Sequence, residues 1–454
     1  MFTTFSHRFS RRQWLQGLGA GLVLASPLTT SLSRNVWAQA AAPGARKPGQ
    51  GRLVVVLLRG AYDGLSAFVP YADADYYALR PNIAIAAPDG TAQTSLKLDD
   101  SFALHPALAP LLPLWQQGVM SFVPAAGLSA PNRSHFDAQF QMEIAQPGKS
   151  NGASGWLNRL AALHKSSAPM ALAMGVGEAN PAILAGDAPV KLIPRGQAAE
   201  RTGVLASTST RQALLDLYAG NDAVSAAFRK GSDSRIQSAQ ELTDEKSAVG
   251  ERRRMDIELD KDGAPTNPQA QSAQMVAASN GATDPVGLVL DAKHLGTLMR
   301  NDRNLQIGFL SAGGWDTHAN QGSTTGQLAN NLANLTRGIV QLRQDFNERG
   351  DVILVMSEFG RTSAENGTRG TDHGFGNALW LIGNQVNGGK WHGQWTGLAR
   401  GNLNENRDLP AHHDYRAVLA QVFKRNLAMS DVGLATLLPG AHWDARLDGL
   451  MRKI

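Results

Sequence analysis

Apolar positions along the chain fall into runs of two kinds. "RLVVVLL" at 52–58 is a continuous β-branched and aliphatic run, which predicts a strand buried on both faces. "VMSFVPA" at 119–125, "PMALAMGVG" at 169–177, "LQIGFL" at 305–310 and "VILVM" at 352–356 read as further strands. The other kind has helical spacing. In "PNRSHFDAQFQMEIAQ", 131–146, a turn is followed by Phe136, Phe140 and Ile144 at intervals of four. In "GQLANNLANLTRGIVQLRQDFNERG", 326–350, Leu328, Leu332, Leu335, Ile339, Leu342 and Phe346 form one stripe, with Gly350 expected to close the helix. "LHPALAPLLPLWQQG", 104–118, reads as helical despite its prolines. A strand, a helix and a strand joined by short links make a right-handed parallel unit, so the sheet should be largely parallel with helices on both faces.

Residues 205–300 differ in character. They read as polar helices around "RQALLDLYAG" and "AFRKGSDSRIQSAQELTDEKS", with a loop of low hydrophobicity, "DKDGAPTNPQAQSAQ". This stretch is expected to be a peripheral helical insertion in one α/β domain over 52–454. No internal repeat is evident.

The ends of the chain refine the picture. "SRRQWLQGLGAGLVLA" pairs Arg11 with Arg12 ahead of a Gly-rich apolar stretch, and Ala38-Gln39-Ala40 offers a small-x-small cleavage site. That is the pattern of a twin-arginine signal peptide over 1–40, followed by a Pro/Gly linker over 41–51. It implies the twin-arginine export machinery as a partner and a periplasmic or extracellular location. The apolar run is too short and broken for a transmembrane helix. The formal charge is +5, but Arg8, Arg11, Arg12 and Arg34 supply four of these charges. A body near neutrality carries no footprint for nucleic acid. The absence of cysteine excludes disulfides, thiolate metal sites and cysteine nucleophiles.

Loops that follow parallel strands open on one edge, where open α/β sheets bind ligands. "RGAYDG", "RSHFD", "GGWDTH" and "SEFGRT" each follow a strand and bring Arg59, Asp63, Ser134, His135, Asp137, Asp316, His318, Glu358 and Arg361 to that rim. "GTDHG", 370–374, adds Asp372 and His373. Asp, Glu and neutral His are the ligands expected for a divalent ion such as Zn, Mn, Mg or Ca. In an extended segment Asp316 and His318 point the same way. The arginines suit an anion, and Ser134 stands at a helix start that favours an anion or an activated hydroxyl.

"LLRGAYDGLS", "SHFDAQ", "GGWDTHANQ", "SEFGRT" and "GTDHGFGNALWLIG", in that order behind the export signal, resemble the domain of unknown function 1501 family. The resemblance covers essentially the whole mature chain. It implies membership of the alkaline-phosphatase and sulfatase-like superfamily, an α/β/α sandwich, and one or two metals at the strand ends. It implies no defined reaction. Arg59-Gly60 stands where the superfamily has Asp-Gly, and Phe359 stands where a histidine ligand is usual, so the two-metal set is incomplete.

The expected ligands are Asp316, His318, Asp372 and His373, with Glu358 and Asp63 after them. Ser134 and His135 are the candidates at the nucleophile position, and Arg59 and Arg361 at the anion. The reading is a hydrolase of phosphate or sulfate esters acting on an anionic small molecule or glycan ester. The alternative is a non-catalytic binding or assembly protein on the same scaffold. Ordinary structural roles compete at each position: Ser134 as a helix N-cap, Arg59 and Arg361 as buried ion pairs, Asp316 and His318 as a turn and cap. "AHHDYR" at 411–416 reads as a cap for the following helix, since adjacent histidines on an extended segment face opposite ways. Trp380, Trp391 and Trp395 suit core or turn packing more than a carbohydrate pocket.

Overall fold

The computed structural model describes residues 51–146, 154–164, 171–253 and 273–453. The export signal, nearly all of the linker and most of the 260–274 loop lie outside them. The strands are β1 (Leu53–Leu58), β2 (Phe68–Val69), β3 (Leu96–Lys97), β4 (Ala103–Leu104), β5 (Met120–Gly127), β6 (Ala173–Gly177), β7 (Val190–Pro194), β8 (Ile307–Ala312), β9 (Val352–Met356), β10 (Asn377–Ile382) and β11 (His413–Asp414). Eight of them form the main sheet, in the order β11-β5-β10-β9-β1-β8-β6-β7, and β2-β4-β3 form a small antiparallel one.

In the main sheet β1 runs parallel to β8 and β9, β6 parallel to β8 and β7, and β11 parallel to β5. Only β10 is reversed, antiparallel to both β9 and β5. The C-terminal ends of β1, β5, β8 and β9 therefore share one edge, and the start of β10 meets them there. This reversal brings the segment before β10, including Asp372 and His373, to the same rim.

The sheet is a layer between two cores, as the unbroken run "LVVVLL" requires. Leu53, Val55 and Leu57 face one core, and Val54, Val56 and Leu58 face the other. The first is covered by helices His135–Ile144, Trp156–Leu163 and Tyr415–Asn426. The second is covered by Leu288–Asn301 and Gln327–Asp345. The fold is an α/β/α sandwich. Within 205–300, helix Thr208–Leu217 buries none of its residues, whereas Leu288–Asn301 buries Leu295, Leu298 and Met299 against the sheet. The last helix of that stretch is thus part of the sandwich itself. Among the described residues no helix is long and apolar enough to cross a membrane.

The stripe on Gln327–Asp345 is buried as spaced, but the helix ends before Gly350. Phe346 is its C-cap, and the Phe346 carbonyl accepts from the Arg343 guanidinium. Gly350 instead allows a close approach, since a Cβ there would lie 2.7 Å from the Cα of Gly51. The helix depends on its apolar face, so Leu335→Ala should destabilise the protein by about 2–5 kcal/mol, read as a lowered denaturant midpoint.

Candidate metal centre

Three imidazoles and one carboxylate converge at the strand-end rim. His373 Nε2 lies 2.9 Å from His135 Nε2, 3.0 Å from His318 Nε2 and 3.1 Å from Asp316 Oδ1. Asp316 Oδ1 is also 3.0 Å from His318 Nε2 and 3.3 Å from His135 Nε2. The ligand atoms of His135, Asp316 and His373 all lie within 4.8 Å of one another.

The four residues are delivered by three segments. Asp316 and His318 follow β8, in an extended segment that pairs with residues 366–371 through Thr371 N to Thr317 O at 3.1 Å and Asn320 N to Thr368 O at 2.9 Å. Gly370 permits that contact, because a Cβ there would stand 2.3 Å from the His318 carbonyl carbon. His135 opens the helix after β5, with Ser134 as N-cap. His373 is bridged antiparallel to Arg361 just before β10.

The outer nitrogens settle the tautomers. His373 Nδ1 lies 2.8 Å from the Arg133 carbonyl, which only accepts, so Nδ1 carries the proton. His135 Nδ1 meets Glu358 Oε1 at 2.8 Å, and His318 Nδ1 meets Asp372 Oδ1 at 2.9 Å. All three Nε2 lone pairs then face inward. Carboxylate and carbonyl acceptors behind the imidazoles are the usual outer shell of a metal site. His135, Asp316 and His373 are close enough to share one ion, with His318 adjoining the last two; bonds of about 2.0–2.2 Å would need the donors to spread by a few tenths of an ångström.

Electrostatics favour a cation here. Burial opposes ionisation of Asp316, yet hydrogen bonds from the histidines, wherever a ring carries its second proton on Nε2, and the Arg361 charge hold it well below the usual carboxylate range. Its Oδ2 is buried and has no hydrogen-bond partner. Burial alone would lower the His135 imidazolium, but hydrogen bonds to Asp316 and Glu358 prevail and raise it to about 9; at neutral pH the ion-free ring therefore holds a second proton on Nε2, which a bound cation would displace to free the lone pair. The inner side is closed: Asp316, Glu358 and Arg361 are each at most 2% exposed. The outer side is open at the partly exposed side chains of His318, His373 and Asp372.

The residues expected from sequence divide accordingly. Asp316, His318 and His373 come together. His135, expected beside a nucleophile, is a fourth donor. Glu358 and Asp372 face the outer nitrogens of His135 and His318 rather than the centre, because each imidazole stands between its carboxylate and the convergence point. Asp63 is not among the donors: its carboxylate is bound by Arg80 at 2.6 Å, by Ser66 Oγ and by Gln321 Nε2. Ser134 Oγ caps its helix, accepting from Asp137 N at 3.4 Å.

Neither expected anion-holding arginine is open to a ligand. Arg59, 1% exposed, is bound to Glu143 at 2.7 Å, Glu178 at 2.8 Å and Gln139 at 2.9 Å. Arg361 donates to Asp316 and to the carbonyls of Gly60, Ala61, Trp315 and Thr371. Sequence reasoning passed over Gln139 and Asn366. Gln139 sits four residues after His135 on one helix face, a spacing that signals a shared environment. Asn366 Nδ2 holds Asp372 Oδ1 at 3.0 Å, and no local pattern marks it.

Phe359 packs beside the site, its ring 4.8 Å from that of His135 and 5.2 Å from that of His373. Outside the site, Asp414 caps its helix by accepting from Arg416 N. His413 is held by Asp444 at 2.7 Å and His412 by Thr396 at 3.0 Å. Trp380 is buried, and Trp391 and Trp395 pack edge-on against Phe102.

Residues 50–437 match the family described as "Protein of unknown function (DUF1501)", and the chain belongs to that family. No curated protein matches it. Solved structures similar to it include Ps i-CgsB in complex with k-i-k-neocarrahexaose, at 10% identity over 86% of this chain and 74% of that one, with a TM-score of 0.35. Another is the alkaline phosphatase from the Antarctic bacterium TAB5, at 10% identity over 76% of this chain and 95% of that one, with a TM-score of 0.29.

The Asp63–Arg80 pair yields a prediction that separates scaffold from site. Asp63→Ala leaves a buried guanidinium unpaired and should cost about 3–5 kcal/mol in chemical denaturation. The folded fraction should keep the metal stoichiometry of the wild type.

Proposed function

We propose that the protein is an exported, metal-dependent hydrolase of phosphate or sulfate esters. One divalent ion is held by His135, His318, His373 and Asp316. The observation that carries this reading is the convergence of three inward Nε2 atoms on a buried carboxylate whose second oxygen has no partner. Three imidazoles and a single carboxylate favour a borderline ion such as zinc over magnesium or calcium, which prefer oxygen ligands. Such an ion, when bound, polarises an ester oxygen and makes a water molecule more acidic.

The chain's own groups do the rest. Glu358, Asp372 and the Arg133 carbonyl orient the imidazoles. Phe359 lines the inner wall. Because Ser134 is a helix cap, the attacking group in this reading is water rather than a serine alkoxide. With Arg59 and Arg361 buried, the partly exposed arginines at the rim are Arg407, whose Nη2 donates to the His373 carbonyl at 2.7 Å, and Arg133; both are ion-paired, with Asp408 and, for Arg133, also Glu405, so gripping an anion requires exchange of those partners. The twin-arginine pattern at 1–40 supports export in the folded state.

Metal analysis of protein purified from the periplasm, without chelator or affinity metal, tests the reading. About one ion per chain is expected, lost in both Asp316→Ala and His373→Ala. A folded wild type without an ion, and without stabilisation by added Zn, Mn, Mg or Ca, would leave the binding-protein alternative. On an ester that is turned over, Arg133→Gln should raise KM about ten-fold with little change in kcat, the effect of losing one charge-assisted contact to the ground state and transition state alike.

A further inference from the structure

The imidazole of His135 is held by more than Glu358. We propose that Gln139 and Arg59 are positioning residues for the donor cluster, acting through Glu358 on His135. The inference rests on the metal-site reading and deepens it.

Gln139 is fully buried on the helix that His135 opens. Its Oε1 accepts from Arg59 Nη1 at 2.9 Å. Its Nε2 donates to the Ala278 carbonyl at 2.7 Å and to Glu358 Oε1 at 2.9 Å. A guanidinium only donates and a carbonyl only accepts, so the amide has one orientation that satisfies both. Arg59 and Ala278 thus oblige Gln139 to present N–H to Glu358.

Glu358 is fully buried as well. Besides Gln139, its Oε1 accepts from Gly60 N at 2.8 Å. These donors stabilise the ionised carboxylate in a place where burial alone would protonate it. An ionised carboxylate cannot donate, so the hydrogen on the His135 bond must sit on Nδ1. In the neutral ring His135 Nε2 is thereby left with its lone pair facing Asp316 and His373. Arg59 itself is fixed by Glu143 and Glu178, two carboxylates from other elements, which keeps its fork aimed at Gln139. A guanidinium on the amide oxygen also polarises the amide and strengthens its donation to Glu358.

The alternative is that this chain of bonds only packs the rim. The two are separated by Gln139→Met, which keeps the volume and removes all three hydrogen bonds of the amide. Zinc affinity is measured by competition with a chromogenic chelator, alongside the apo-protein melt. Histidine is labelled with nitrogen-15 to follow the slowly exchanging ring N–H of His135, assigned by its loss in His135→Gln. The expected result is a cooperative melt, zinc binding about 10–100-fold weaker than wild type, and loss of that protected N–H. If Gln139→Met does not melt cooperatively, Arg59→Lys serves instead. It keeps a cation for Glu143 and Glu178 but not the fork that also holds Gln139, and should weaken zinc and expose the His135 N–H in the same sense. Unchanged zinc affinity in the folded variant overturns the inference, as does weakened binding with the His135 N–H signal intact. A wild type that binds no zinc overturns the metal-site reading instead.

Discussion

The rim is assembled around the guanidinium of Arg361. It lies beyond β9, yet it donates to carbonyls on the loop after β1 (Gly60 and Ala61), on the loop after β8 (Trp315) and on the segment before β10 (Thr371). A buried cation costs several kcal/mol unless a carboxylate answers it. Asp316 answers it at 2.6 Å. The carboxylate that neutralises the scaffold's central cation is therefore the same one that meets the three imidazoles. One oxygen serves both, and the other is left without a partner. The loops cannot separate without exposing Arg361's unmet donors, so the donor geometry inherits the rigidity of the sheet edge.

Much of the fold was legible because both faces of the sheet are buried. "LVVVLL" has no polar alternation, and it packs between two helical layers. The rim was legible from topology, since parallel strands send their loops to one edge. The arrival of Asp372 and His373 was visible only as a motif. It depends on β10 running antiparallel, and hydrophobic periodicity carries no sign of strand direction. Gly350 misled for a related reason. It looks like a helix stop, but the constraint on it is the close approach of Gly51, which is distant in sequence.

Roles within the rim were harder to read than membership of it. Arg59 and Arg361 look equivalent in sequence, each following a strand. Their carboxylate partners lie between 45 and 119 positions away, which no local pattern announces. Ser134 and His135 are neighbours, and one step of helix phase separates them. It leaves the serine as an exposed cap and turns the histidine to the centre. Asp63 has the ligand chemistry of Asp316, but Arg80, seventeen residues on, claims it. Sequence specifies which groups can ligate. Pairing in three dimensions decides which of them remain available.

That pairing accounts for the character of the site. Arg59 is matched by Glu143 and Glu178, Arg80 by Asp63, and Arg361 by Asp316. The fixed positive charge of the inner rim is thus committed to holding loops together. What faces the open side is imidazole nitrogen, with Asp372 and the Arg133 carbonyl securing the protons behind it. Inward lone pairs about 3 Å apart repel one another unless a cation lies among them. A proton can relieve only part of that repulsion, since it bridges two donors and not four. A divalent ion, as proposed, would answer several donors together where a proton answers two. The same packing that commits the arginines to the scaffold leaves imidazole nitrogens and one carboxylate oxygen facing each other at the open side, and the proposed metal site rests on that division of roles.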